Sequence, residues 1–199
     1  MHVKNVTNHI HSLLDELHEL YISTPHMSTN VDVHLVIDSF DRQFNSWRNV
    51  ARLFARTNYV MMLDVDFAIC TDFRQAIRSS TVVMDKLREG SSALVIPAFE
   101  FINHSEGLDS NRFPRDKEVR SFIALEFSCH RCLDDSPQSL LSLVRTHKVD
   151  MFHLSWPGGH NSTDYPRYYS AQRGEVYKVT QYQSAYEPYV VFKKEGPPW

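Results

Sequence analysis

RTNYVMMLDVDFAICTDF, residues 56–73, sets an apolar run, residues 59–63, directly before two aspartates with one residue between them. A run of that kind reads as a buried strand. In an open α/β sheet, ligands bind outside the carboxyl ends of the strands, and Asp64-Val65-Asp66 sits at such an end. Residues i and i+2 of an extended chain face the same side, so the strand carries two carboxylates side by side. Their mutual repulsion raises one pKa unless a cation lies near them. Hard oxygen ligands of this kind suit Mg²⁺ or Mn²⁺, which keep open positions for substrate phosphates. The bland alternative is a pair of capping aspartates at an ordinary strand end.

The flanking segments place that strand in a fold. Val6, Ile10, Leu13, Leu14, Leu17, Leu20 and Tyr21 recur at helical spacing, which predicts a helix over residues 4–22. VDVHLVID, residues 31–38, predicts a strand. Phe44, Trp47, Val50, Ala51, Phe54 and Ala55 predict a second helix. Thr71 or Asp72 is placed to cap a third helix running to about residue 88. ALVIPAF, from residue 93, predicts another buried strand, residues 115–127 a helix, and VYKVT and YVVF two late strands. Alternating β and α elements with continuous apolar strands indicate an α/β sheet covered on both faces.

The second helix adds chemistry. Asn45, Arg48, Asn49 and Arg52 fall at i, i+3, i+4 and i+7, one polar face opposite the apolar stripe. No acid on that face pairs the two arginines. Arginine suits bidentate phosphate contact, and asparagine suits a base or ribose. A solvated face is the simpler reading. Because this helix leads straight into the Asp-x-Asp strand, both are expected to line one crevice.

Bulk composition excludes several classes. The 199 residues suffice for one domain with a core. A net charge of −3 and a pI near 6.4 argue against broad binding to nucleic acid or anionic membrane. No apolar window is long enough to span a bilayer, and the first residues lack the apolar core of a signal peptide. Cys129 and Cys132 have zinc-like spacing but no second pair follows, so they read as structural or free thiols. Asn5, Asn103 and Asn161 each begin a glycosylation sequon.

WPGGHNSTDYPRYYSA, residues 156–171, is a third cluster. It joins glycines and aromatics with His160, Asn161, Asp164 and Arg167. Aromatic faces and short polar groups are what a sugar ring needs; an ordinary aromatic-rich loop is the alternative.

Four blocks in order, NSWRNVARLFARTNYVMMLDVDF, ALVIPAFE, WPGGHNSTDYPRYYSA and YQSAYEPYVVFKKEGPPW, resemble glycosyltransferase family 49, the LARGE-type enzymes. The resemblance covers about residues 40–199. It implies a GT-A-type, Rossmann-like mixed sheet flanked by helices, a UDP-sugar donor, a glycan or glycoprotein acceptor, and Mn²⁺, with Mg²⁺ as the substitute. It implies that Asp64 and Asp66 hold the metal and, with Val65, Arg48, Asn49 and Arg52, the donor. Trp156, His160 and Asn161 then face the sugar and acceptor. Glu187 is the first candidate for the catalytic base and Asp164 the second. The donor-binding part is expected at about residues 30–100 and the acceptor-facing part at about 150–199, in one partial domain spanning 1–199. The family implies a Golgi enzyme, a type II membrane protein in full length. Against that pattern these residues lack a nucleotide-cradling first strand, a later segment supplying a metal-binding histidine, and the anchor. The chain therefore reads as a piece of a longer transferase, incomplete at both ends. Two rival readings stand beside it: a non-catalytic fragment of the family, and a haloacid-dehalogenase-type phosphatase with Asp64 as nucleophile and Asp66 as acid/base. In the second, Phe67, Ala68 and Ile69 stand where such enzymes usually have Gly and Thr or Val.

Overall fold

A computed structural model describes residues 7–37, 39–40, 42–64, 67–117, 139–172 and 174–196. Val65, Asp66, Asn5, Cys129, Cys132 and nearly all of the helix expected at 115–127 lie outside these residues. The chain divides into two compact units, one of Met1–Val60 with Lys194–Trp199, the other Met61–Lys193.

In the first unit, α1 (Thr7–Ser23) follows the apolar periodicity, with Ile10, Leu13, Leu14, Leu17 and Tyr21 half-buried. The short α2 (Pro25–Asn30) starts on a proline, whose fixed φ suits a first helical turn and whose missing N–H costs nothing there. The Tyr21 hydroxyl donates to the Ser28 and Val31 carbonyls and ties the end of α2 to α1. α3 (Phe44–Phe54) is the expected second helix. Past its end, the Lys194 amide donates to the Asn58 carbonyl at 2.9 Å, and the Lys194 ammonium caps the Ala55 carbonyl at 2.7 Å. A cation is favourable at that negative end of a helix.

The strand expected at 31–38 does not form; within its described residues only Val36 makes a bridge. Its even-numbered side chains find other partners. Asp32 pairs with Arg56 at 3.0 Å, and His34 stacks on Phe54 at 4.9 Å. Val31, Val33, Leu35 and Ile37 stay exposed, so the alternation has no sheet face to serve. β propensity describes fit to a half-buried pleated surface, and none covers this segment.

β1 (Tyr59–Met61) leads into the second unit. There the expected single helix is two, α4 (Phe73–Ser79) and α5 (Thr81–Glu89). Asp72 caps α4 by accepting from the Gln75 amide at 3.2 Å, as expected. Ser80 ends α4 and its hydroxyl accepts from the Val83 amide to start α5. Serine competes with the helix for its own backbone, and the β-branched run Thr81-Val82-Val83 follows it, so the break falls there. Gly90 closes α5 in the left-handed region, at φ 76. Its strand-facing side buries Val83 and Leu87.

β2 (Ala93–Ile96) pairs antiparallel with β5 (Tyr189–Lys193), Ala93 opposite Phe192 and Ile96 opposite Tyr189. The strand order is β1-β5-β2. β3 (Phe99–Phe101) and β4 (Val149–Met151) form a second antiparallel pair. The chain is thus mixed α/β, but among the described residues no parallel pair of the Rossmann-like kind is present. The late strand β5 inserts between β1 and β2, so α4 and α5 connect two strands that are not neighbours. VYKVT, residues 176–180, is not a strand. Four consecutive residues of β5, Tyr189 to Phe192, are buried. α6 (Leu140–Arg145) contributes Leu140 and Leu143 to a core cluster with Val149, against which Phe99, Phe101 and Tyr168 pack. α7 (Tyr165–Ser170) begins with a buried tyrosine whose hydroxyl donates to the Ala98 carbonyl at 2.8 Å. That bond fixes the break after Pro97 that separates β2 from β3.

Candidate active site

In the second unit Asp64 stands just beyond β1 with an exposed side chain. Its Oδ2 accepts a hydrogen bond from the Tyr189 hydroxyl at 2.9 Å. Tyr189 is the first residue of β5 and only 5% exposed. Its ring meets Phe67 at 4.7 Å and stacks along His160 at 5.8 Å. A buried tyrosine needs a partner for its hydroxyl, and here the partner is a carboxylate at the rim of the apolar cluster.

His160 is 3% exposed. It lies edge-on to Phe152 at 5.1 Å and beside His153 at 6.0 Å. Burial is the main cause that lowers its pKa, and the neighbouring His153 adds to it; Glu187, Asp64 and Glu100 oppose them. Since the ordinary value is already about 6.5, His160 is neutral at pH 7. The same interactions show that Asp64, His153, His160, Glu187 and Glu100 share one electrostatic neighbourhood. Glu187 is exposed, and its amide is anchored on the Gly159 carbonyl at 2.8 Å.

The glycine before His160 has a steric role. A Cβ at Gly159 would lie 3.0 Å from Cζ3 of Trp156, so this glycine lets the half-exposed indole lie close to the backbone. Downstream, Asp164 is left-handed at φ 57 and caps α7, accepting from the Arg167 amide at 3.2 Å. The Tyr177 hydroxyl donates to the Thr163 carbonyl at 2.9 Å, and Thr163 Oγ1 and the Tyr186 hydroxyl lie 3.0 Å apart. The loop expected from composition is therefore a stapled turn structure. Asn161 is exposed within it.

Asp64 also bears on the divalent cation. Mg²⁺ and similar ions are held by one or two carboxylates with substrate phosphates and water, not by closed protein cages. Among the described residues no group of three or more His, Cys, Asp or Glu is placed to hold a metal. The donor chemistry of Asp64, a solvent-facing carboxylate steadied on one oxygen, fits an ion of that open type.

The model of the family described as "Glycosyl-transferase for dystroglycan", glycosyltransferase family 49, matches residues 38–199. The chain belongs to that family. It is 32% identical over 154 residues to mouse "Xylosyl- and glucuronyltransferase LARGE2", covering 77% of this chain and 18% of the relative. It is 31% identical to the human protein of the same name over 154 residues, with the same coverage. With the Caenorhabditis elegans "Glycosyltransferase-like protein LARGE" it shares 26% identity over 182 residues, 86% of this chain and 24% of the relative. The chain thus spans less than a quarter of the length of these curated relatives. Membership in family 49 replaces the phosphatase reading of Asp64 and Asp66. No helix among the described residues is long and apolar enough to cross a membrane.

The residues that the family resemblance singled out fall in both units. Arg48, Asn49 and Arg52 lie on α3 of the first. Arg48 donates to Asn45 Oδ1 at 3.3 Å and sits over the Phe44 ring. The Arg52 guanidinium donates to the Lys194 and Gly196 carbonyls. Asp64, Trp156, His160, Asn161, Asp164 and Glu187 belong to the second unit, where Asp64, His160 and Glu187 come together. Sequence reading did not single out Tyr189, His153 or Glu100. The available signal was Tyr189 itself, a polar-tipped residue opening an otherwise apolar strand.

Proposed function

We propose that the chain carries part of a GT-A-type domain that moves a sugar from a UDP-sugar to a glycan or glycoprotein acceptor with inversion of configuration. Glucuronic acid is the first sugar to test, because the relatives' names join xylosyl and glucuronyl transfer. The reading keeps one domain, with the donor side at about residues 30–100 and the acceptor side at about 150–199. A Golgi lumenal enzyme anchored as a type II membrane protein is the matching setting. The single observation that carries the proposal is Asp64: a carboxylate presented to solvent at a strand end and fixed by a buried tyrosine.

Asp64 and Asp66 would hold Mn²⁺ or Mg²⁺, which when bound neutralises charge developing on the departing UDP. Arg48, Asn49 and Arg52 bind the nucleotide diphosphate. Trp156, His160 and Asn161 orient the sugar and acceptor. His160, neutral at pH 7, offers a hydrogen bond without adding charge. Glu187 takes the proton from the acceptor hydroxyl as that oxygen bonds to the anomeric carbon. The bond from that carbon to the diphosphate oxygen breaks on the opposite face, and UDP leaves with the electron pair.

The test is transfer of labelled sugar from UDP-glucuronic acid and UDP-xylose to a panel of glycosides, with Mn²⁺ present. Transfer should fall at least ~100-fold in Glu187→Gln, the scale of a lost general base. If the intact protein neither transfers sugar nor hydrolyses any of these donors, the non-catalytic reading takes its place.

A further inference from the structure

The geometry points to Tyr189 as a positioning residue for Asp64, setting the direction in which that carboxylate faces a divalent cation. This rests on the metal reading above and deepens it. Three observations carry it. The hydroxyl of Tyr189 donates to Oδ2 of Asp64 at 2.9 Å across 125 residues of sequence. The ring that bears this hydroxyl is 5% exposed and is held by Phe67, Phe152 and His160. The backbone of Tyr189 is fixed opposite Ile96 in the β2–β5 ladder. Asp64, by contrast, is exposed and lies three residues past Met61, the last residue of its strand. A carboxylate in that position rotates freely about its side-chain torsions unless something rigid holds one oxygen. With Oδ2 engaged by the Tyr189 hydroxyl, the carboxylate's orientations narrow to one. Ligating groups are commonly aimed in this way by partners that never touch the metal, and losing such a partner costs about 10–100-fold in metal affinity. Tyr189 does not touch donor, acceptor or metal, and its effect is exerted only through Asp64.

Mn²⁺ alone is titrated into the intact protein, free ion being followed by its electron paramagnetic resonance signal, for wild type, Tyr189→Phe, Asp64→Asn and the double variant. Thermal unfolding is recorded beside each titration. Tyr189→Phe should bind Mn²⁺ about ten-fold more weakly with its unfolding transition nearly unmoved, and should add no further loss in the Asp64→Asn background. Fluorotyrosine at position 189 gives a second readout that leaves the side chain in place: bound Mn²⁺ should broaden its fluorine resonance. Wild-type affinity in Tyr189→Phe, an equal loss in both backgrounds, or an unbroadened resonance overturns the role of Tyr189 while the metal site stands. Absence of Mn²⁺ binding by the wild type overturns the metal reading itself, and this inference with it.

Discussion

Asp164 and Glu187 are the two carboxylates that compete for the role of base, and their backbones separate them. Asp164 is left-handed, caps α7 and carries the carbonyl that the Tyr177 hydroxyl also reaches. Glu187 uses only its amide for structure, on the Gly159 carbonyl. Replacing Asp164 with Ala removes the cap and puts a Cβ without a polar group in the left-handed region. Urea unfolding should register a loss of about 2–3 kcal/mol. Asp164→Asn retains both the cap and the tolerance of that conformation, and should keep stability and transfer. A folded Asp164→Asn without transfer would move the base to Asp164. The place of Asp64 past the end of β1 was legible because strand and carboxylate are close in sequence. Tyr189 was not, since nothing local announces that a tyrosine 125 residues away will meet Asp64.

At the scale of elements, α3 was read correctly from its apolar stripe, yet its polar face does two things. Arg52 reaches the carbonyls after β5, which closes the first unit's own chain ends together. Arg48 donates to Asn45 and sits over the Phe44 ring on its own helix. Arg52→Ala should therefore lower stability by about 1.5–3 kcal/mol, the scale of hydrogen bonds made by a charged group. Arg48→Ala should cost less stability and weaken UDP binding by roughly ten-fold, both read by calorimetry and denaturant melts of the same preparations. Wild-type UDP affinity in Arg48→Ala would return this face to ordinary solvation. Two other elements depart from their sequence pattern. Residues 31–37 carry strand-forming side chains but make only the single bridge at Val36, and Asp32 and His34 find partners elsewhere. The helix expected to run to residue 88 is broken by Ser80, a residue whose hydroxyl serves the second helix as a cap.

At the scale of the molecule, alternation of apolar strands and helices correctly indicated a mixed α/β chain. The pairing of those strands was not legible. β5 comes from the far end of the sequence and lies between β1 and β2, a choice made by long-range packing of four consecutive buried residues. Periodicity reports which face of an element is apolar and not which neighbour covers it. The same insertion is what carries Tyr189 to Asp64. In the proposed function, residues 64–66 hold a cation against a nucleotide diphosphate. Its most direct test is calorimetric titration of UDP into wild type and Asp66→Asn, each with and without Mn²⁺, with circular dichroism confirming that both are folded. Wild type should bind UDP at least about ten-fold more tightly with Mn²⁺, and a folded Asp66→Asn, which keeps the shape but weakens a hard-oxygen ligand, should lose most of that difference. Equal UDP affinity of the wild type with and without Mn²⁺ would contradict it.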